Sequence, residues 1–532
     1  MKAERTDYLV IGGGTAGCIV AGRLADLPHH PRVTLVEWGP DDAQEPRAQS
    51  IRRWDEMVQS EYAVQHRSVP QRRGNSNIDH TRLHILGGCS TANTMISWVP
   101  FRGDLQEWER LGAQGWGPDE FLPYAQRLRT RISVIPECDQ NPRLARMIVS
   151  ASEALGIERV KEWNDHDYRP GAGFFEIGYI PETNQRSSGS NAYRDLLTRA
   201  EMRGNLTVHT RSRALRLLFD RDRVSGAVVA TETDAQSVDG ETPALRAADE
   251  RVIQADCEVV VCAGAFETPR LLMLSGIGDP EMLQAAGIPV RAASPGVGRN
   301  LQDHAEGIVV WEVSRAVEPQ SATGWDAGYL YGDEHADDPE MSDLDPVPVV
   351  TTHLPREPWV EQLVRTGVAL PEHIAGVAPN VSRPRSRGRV WIDSDRSDAE
   401  LRIDYGYFTD AEGHDEAALV LGVRNARRLA RQQPFADEVI REVFPGPEVQ
   451  TDEQISASQR AVHQTVYHPC GTCRIGAASD ASSVLDNRLR VRGVQGLRVA
   501  DASAFPAITS INPVITIMML AERAVDLIAG EQ

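Results

Sequence analysis

Apolar positions cluster most regularly at the start of the chain. Asp7 to Ile11 is an apolar run of strand type, Cys18 to Ala25 a helix-forming stretch, and Arg32 to Val36 a second apolar strand that ends in Glu37. This spacing predicts a βαβ unit. Further along, Met147 to Ile157 has the period of an amphipathic helix, while Leu105 to Trp116 and Pro118 to Arg129 read as helices of a covering layer, with Trp108 and Trp116 in packing roles. Short apolar runs at Leu206, Ala214, Val224 and Arg251, with turns at Asp220 to Asp222 and Thr233 to Ala247, predict a small antiparallel meander. Cys257 to Ala265 reads as a buried strand returning to the parallel sheet. Thr268 reads as the cap of the next helix, with Pro269 in its first turn and Gly276 as its stop. Trp54 to His84 is polar and weakly periodic, a surface excursion, and Gly171 to Arg186 is aromatic and loop-rich.

From about Glu306 to Thr465 the texture changes. Acid-rich loops (Asp333 to Asp345), short strands (Val347 to His353, Val390 to Ile392, Leu401 to Asp404) and a helix (Ala417 to Arg431) predict a second, sheet-based unit, before the chain returns in a strand at Leu497 and a closing helix after Asn512. The expected division is a discontinuous nucleotide-binding domain at 1–153, 196–305 and 465–532 and a substrate domain at 154–195 and 306–464. The fold class is α/β, a Rossmann-type domain with an inserted sheet-based domain.

The turn between the first strand and helix carries Gly12-Gly-Gly14-Thr15-Ala16-Gly17. Gly12 allows the tight turn, Gly14 lets backbone approach a pyrophosphate, and Gly17 lets the helix pack on the strand, with the helix N-terminus supplying N–H groups and positive dipole. Glu37, some 20 residues on, can accept from a ribose diol and would repel a 2′-phosphate, so NADP is disfavoured. A second glycine block, Gly87-Gly88 with Cys89-Ser90-Thr91-Ala92-Asn93-Thr94, has the composition needed where backbone presses on a flat ligand; a glycine-rich turn opening a helix is the competing reading.

Composition narrows the classes. A chain of 532 residues holds two to four domain-sized units. The net charge of −20 argues against nucleic acid or an anionic membrane as partner and favours a cationic ligand over an anionic one. No window nears the roughly 18 apolar residues of a membrane span and no leader is seen, so a cytoplasmic protein is expected. Seven scattered cysteines suit reduced thiols. Cys470-Gly-Thr-Cys473 has dithiol spacing but opens no helix after a βαβ strand. No metal site is expected.

Taken together, Gly12 to Gly17, Arg82 to Arg102, Gly264 to Gly278, and Tyr467 to Gly476 with Val499 to Ser503 and Asn512-Pro513 resemble the glucose-methanol-choline (GMC) oxidoreductases, FAD-dependent alcohol oxidases and dehydrogenases. The segments Pro295 to Gly307 and Asp404 to His414 are most similar to the choline-oxidising branch. The resemblance implies bound FAD, with cofactor contacts from Gly12, Gly14, Thr15, Ala16, Gly17, Glu37, Trp38, Gly87, Gly88, Asn93, Thr94, Ala214, Ala263, Gly264, Asp501, Ala502, Asn512 and Pro513. It implies His468 and Asn512 as catalytic residues, and Glu306, His353, Tyr467, Trp325 and Val64 around the substrate. The chemistry agrees: oxidising an alcohol needs a proton acceptor and an orienting donor beside a hydride acceptor.

Two positions depart from that pattern. Ala92 stands where some relatives carry a histidine joined covalently to FAD, so non-covalent FAD is expected. Val64, aligned with an aromatic of the choline cage, weakens cation–π contact with a quaternary ammonium and makes choline a poor expected substrate. The expected reaction is oxidation of a primary alcohol to an aldehyde by hydride transfer to flavin N5, with O2 as the acceptor. A dehydrogenase with another acceptor, a non-redox flavoprotein lyase and a flavin-storing protein are the alternatives. A homodimer is compatible with this reading.

Overall fold

The computed structural model describes residues 4–76, 78–165, 167–231, 250–332, 346–353, 359–396, 398 and 400–531, with 332, 346–353, 359 and 360 as backbone only. The turn expected at Thr233 to Ala247 and the acidic loop at Asp333 to Asp345 lie outside the described residues. Strand β1 (Glu4–Ile11), helix α1 (Thr15–Ala25) and strand β2 (Val33–Val36) form the βαβ unit. β1 pairs in parallel with β2 on one side and with the strand Glu250–Val261 on the other, and Leu206–His209 continues the sheet beyond β2. The last four residues of β1, all of α1 except Thr15 and Arg23, and all of β2 are buried. Such continuous apolar strands suit a parallel sheet covered on both faces.

Glu250–Val261 is one twelve-residue strand that serves two neighbours along a single edge. Its first half pairs antiparallel with Arg223–Thr231, and its last three residues pair parallel with Leu497–Val499. The expected meander strand at Arg251 and the expected returning strand at Cys257 are therefore continuous.

A second seven-stranded sheet runs in the order 439–444, 309–313, 374–379, 346–353, 327–332, 171–174, 158–159. Gly171 to Arg186, expected as loop, is largely strand (Gly171–Phe174, Glu176–Ile180, Gln185–Arg186). Phe175, Ile177 and Tyr179 are all fully buried, so the period of two was present but interrupted by glycines. Those glycines permit close strand approach: a Cβ at Gly173 would lie 2.1 Å from the Val160 carbonyl oxygen. Two expected boundaries fall inside helices. Pro142–Leu155 packs on the helix His414–Ala430 and on the second sheet, whereas Gly189–Arg203 packs on α1.

Helix Gly264–Leu274 also corrects the expected cap, for it begins four residues before Thr268 and contains Pro269. The Asp501 carboxylate accepts from Gly264 N–H (2.9 Å) and from the Thr268 hydroxyl (2.6 Å), while Thr268 Oγ1 accepts from Ala263 N–H (3.1 Å). The Ala265 carbonyl, which Pro269 cannot reach for want of an N–H, instead accepts from the Thr472 hydroxyl at 2.6 Å. Side chains remote in sequence thus replace the local cap. The helix expected at Leu105 to Trp116 spans Arg102–Arg110 and stops where Gly112 and Gly115 take positive φ. Trp108 and Trp116 are fully buried, as a packing role requires.

Candidate active site

A cavity of about 830 Å³ runs from the first βα turn to the seam with the second sheet. Its inner end is the glycine turn. Gly12 has φ +97°, and a Cβ at Gly17 would lie 1.8 Å from the Gly12 carbonyl oxygen, so helix and strand meet there only because position 17 has no side chain. Gly88 faces Gly14 so closely that a Cβ on it would sit 2.8 Å from the Gly14 Cα. Helix α1 starts at Gly14 without a side-chain cap, leaving first-turn N–H groups for a ligand. Glu37 lies at the end of β2 with its two oxygens accepting from Gly13 N–H (2.7 Å) and Gly39 N–H (2.8 Å); burial pushes its carboxyl up to about 7. Trp38 lies against the His84 ring (centroids 3.7 Å apart), with the Arg213 guanidinium 3.7 Å from the Trp38 ring centroid.

The outer end holds the ionisable groups. His468 follows Tyr467, whose φ of +65° is a strained value for a bulky residue, costing of order 1–3 kcal/mol. Contacts on both sides hold it. Tyr467 N–H donates to the Thr465 hydroxyl (2.8 Å), the Tyr467 carbonyl accepts from Arg82 (3.0 Å), and His468 N–H donates to Asp303 (2.8 Å). Asp303 also accepts from the Tyr407 hydroxyl at 2.5 Å and from Thr465; burial nonetheless pushes its carboxyl up to about 6. Asn512 sits on a loop pinned by Asp104, which accepts from Ser510 N–H (3.1 Å), the Ser510 hydroxyl (2.5 Å) and Arg383 (2.7 Å).

Three side chains form a row: His304 Nδ1 lies 2.9 Å from His468 Nδ1, and His468 Nε2 lies 3.2 Å from Asn512 Nδ2. The other His304 nitrogen, Nε2, is 3.1 Å from the Thr509 carbonyl oxygen. Burial lowers the pKa of His304 to about 4 and that of His468 well below 6.5, so each ring is neutral with one proton at neutral pH. The proton positions follow from the network. A carbonyl can only accept, so His304 Nε2 carries the proton; His304 Nδ1 is then an acceptor, and His468 Nδ1 must donate to it. The lone pair of His468 is left on Nε2, where it accepts from the Asn512 amide, and both residues line the cavity. That is a positioned proton acceptor with an adjacent donor.

The expected residues divide clearly. His468, Asn512, Glu306, Trp325 and Tyr467 line the cavity, as do Gly12, Gly14, Thr15, Ala16, Glu37, Trp38, Gly88, Asn93, Thr94, Ala214, Ala263, Gly264, Asp501, Ala502 and Pro513. Gly17 and Gly87 stand behind the wall. Val64 lies in the strand Ala63–Arg67, paired with Arg82, and is not among the lining residues. His353 ends the strand Pro346–His353, and its side chain lies outside the described residues. The expected surface excursion also needs correcting, because Trp54, Val58, Arg82 and His84 from it line the cavity. Trp54 and His304 were missed. The indole donates to the Thr323 carbonyl (2.8 Å), beside Trp325, a contact 269 residues apart in sequence that no local pattern announces.

Models of the GMC oxidoreductase family match residues 6–306 and 384–521. The chain belongs to this family. It is 40% identical to choline oxidase of Arthrobacter globiformis over 545 aligned residues, covering 99% of this chain and 95% of that one. An oxygen-dependent choline dehydrogenase of Rhizobium rhizogenes is 30% identical, covering 99% and 96%. Among solved structures, pyridoxine 4-oxidase from Mesorbium loti superposes with a TM-score of 0.85 at 26% identity, covering 98% of each chain, and a formate oxidase with 0.84 at 23%, showing the same fold. The family is one of FAD-binding oxidoreductases acting on CH–OH groups. The cavity fits FAD: it has the glycine cradle, the uncapped helix start and the volume of a nucleotide cofactor site. Among the described residues no cluster could hold a metal ion, and no helix is long and apolar enough to cross a membrane.

Proposed function

We propose that the protein oxidises an alcohol that carries a compact cationic group, using non-covalently held FAD and O2. The observation that carries the reading is the His304–His468–Asn512 row, whose hydrogen bonds place the His468 lone pair on Nε2, paired with the Asn512 amide at the cavity wall. Bound FAD would supply the two-electron acceptor for the α-hydride. His468 Nε2 takes the hydroxyl proton, and Asn512 Nδ2, a donor next to it, holds the oxygen from which that proton leaves. Both act on a neutral background, because burial keeps the imidazoles uncharged until the proton arrives.

The substrate reading comes from the outer wall. Trp54, Trp325 and Tyr467 are aromatic, and Glu306 is a carboxylate only 4% exposed, a set suited to an ammonium group. Trp54 lines the cavity, so it can supply an aromatic face to offset the one expected to be missing at Val64. The choline-active relatives and the oxidase neighbours support an amino or quaternary ammonium alcohol and O2. Non-covalent attachment rests on Ala92, which is buried in the loop between Gly88 and Asn93 and has no nucleophile. The seven cysteines, all free, fit a reducing compartment such as the cytoplasm.

Anaerobic mixing with choline and with neutral alcohols tests the reaction. Bleaching of the flavin, fastest with choline, and peroxide formation on re-admitting air are expected; an unbleached flavin with every alcohol sinks the proposal. Acid precipitation tests the attachment: yellow colour should leave with the supernatant.

A further inference from the structure

Arg186 is a buried cation beside the second glycine block that the reaction does not use. It has no exposed surface, and its partners are all uncharged: the Ser90 carbonyl (3.4 Å), the Asn93 carbonyl, the Asn93 side-chain oxygen (3.3 Å) and the Ser50 carbonyl (3.5 Å). Its Nε has no hydrogen-bond partner, and among the described residues no carboxylate pairs with it. Asp42, a carboxylate buried near the same serine layer, is already taken by Arg194 and by the Ser190 hydroxyl (2.6 Å). Burial lowers the Arg186 pKa to about 9, which still leaves it charged at neutral pH. A buried cation without an anion is costly and calls for a compensating charge nearby.

Only one residue separates Arg186 from the cavity. Asn93 lines that cavity, and its side-chain oxygen accepts both from Arg186 and from Met95 N–H (3.1 Å). With the oxygen so committed, the amide nitrogen of Asn93 is the end left for the cavity. Taking up a hydride makes a cofactor in that cavity one charge more negative than before.

We propose that Arg186 is a positioning residue that orients the Asn93 amide and supplies the buried counter-charge to the hydride-loaded cofactor. The inference rests on FAD occupying the cavity but on no particular alcohol. By favouring the more negative state, the guanidinium makes the cofactor easier to reduce.

The test is the midpoint potential of the FAD-loaded protein, titrated with dithionite against a reference dye, so that failure of the alcohol reading leaves it intact. In Arg186→Gln the reduced-to-oxidised ratio at fixed potential should fall about tenfold, a drop of about 30 mV for a two-electron couple. Arg186→Lys, which keeps the charge, should recover at least half of that drop. Arg186→Met, of similar length but uncharged, should lower the potential similarly, and it decides the matter if Arg186→Gln does not fold. Parent-like potentials in FAD-loaded Arg186→Gln, or in Arg186→Met where the first variant is unfolded, would overturn the proposal and leave Arg186 a loop clamp.

Discussion

Replacing His304 should slow the reaction without any contact to the substrate being lost. His304 is 3% exposed; Nε2–H donates to the Thr509 carbonyl and the Nδ1 lone pair accepts from His468, with the Ser382 backbone as a further partner of the ring. In His304→Gln the longer side chain reaches the Nε2 position and keeps the Thr509 bond, but offers no acceptor at Nδ1. His468 then has two choices. It can leave its Nδ1–H buried without a partner, which costs about 1–3 kcal/mol. It can instead move the proton to Nε2, where it would face the Asn512 amide donor and abolish the base. Either way the barrier rises by about 1–3 kcal/mol, a slowing of roughly 5- to 150-fold.

His304→Asn is the opposite change, because its side-chain oxygen lies near the Nδ1 position and can accept from His468 while the Thr509 bond is lost. It should recover most of the rate. Flavin reduction in anaerobic stopped flow, at saturating substrate and with FAD content checked by absorbance, reads the step directly. A Gln variant within twofold of the parent, or an Asn variant as slow as Gln, refutes the proton assignment from which the reasoning starts.

Removing the base itself, in His468→Ala, should slow flavin reduction by about 10²- to 10⁴-fold while FAD remains bound, and Asn512→Ala should be milder; a parent-like rate in the His468 variant shows that another group takes the proton. Trp54→Leu should reduce kcat/KM for choline by about 2- to 30-fold, the worth of one ring over a cation at about 0.5–2 kcal/mol, and leave a neutral alcohol nearly unchanged; equal losses on both would place Trp54 in packing alone. Acid stability should respond to His463, buried between the Tyr407 and Phe408 rings and lowered to about 4 by burial. Its folded pKa lies below the unfolded 6.5, so the unfolded state binds the extra proton and stability is lost as pH falls from 6.5 toward 4. At pH 5 that loss is about 2 kcal/mol. Melting curves should therefore show His463→Phe gaining on the parent as pH drops from 7 to 5, and a constant difference would contradict the linkage.

How much of this was legible in the sequence depends on the distance over which each signal acts. The βαβ unit was readable because its causes are local: β1, α1 and β2 bury what their own periodicity presents, Gly12 is required by its own φ of +97°, and Gly17 by the Gly12 carbonyl five residues away. The start of helix Gly264–Leu274 was misread because its first-turn donors and the carbonyl freed by Pro269 are satisfied by Asp501 and Thr472, more than 200 residues away. His304 looked like a residue on the way out of a domain, since its role exists only when the strand before the second sheet is laid beside His468. Whether Val64 or Trp54 reaches the cavity is not decided locally. The nine residues between them hold the rest of a helix and a turn, and only the fold decides which side chain reaches the cavity.

The proton row also constrains how the site is reset after each turnover. His468 accepts at Nε2, and its other nitrogen already donates to His304, whose remaining nitrogen ends on the Thr509 carbonyl, a group that cannot carry a proton onward. Asp303, the nearby buried acid, contacts His468 only through the backbone N–H, so it steadies the loop without offering the imidazole a path. A proton gathered on Nε2 therefore returns by the way it came, through the cavity that His468 and Tyr467 line. Base recovery and product departure share one opening. The histidine that makes His468 a base also closes the interior route, so the arrangement that fixes its tautomer ties deprotonation of the site to the emptying of the pocket.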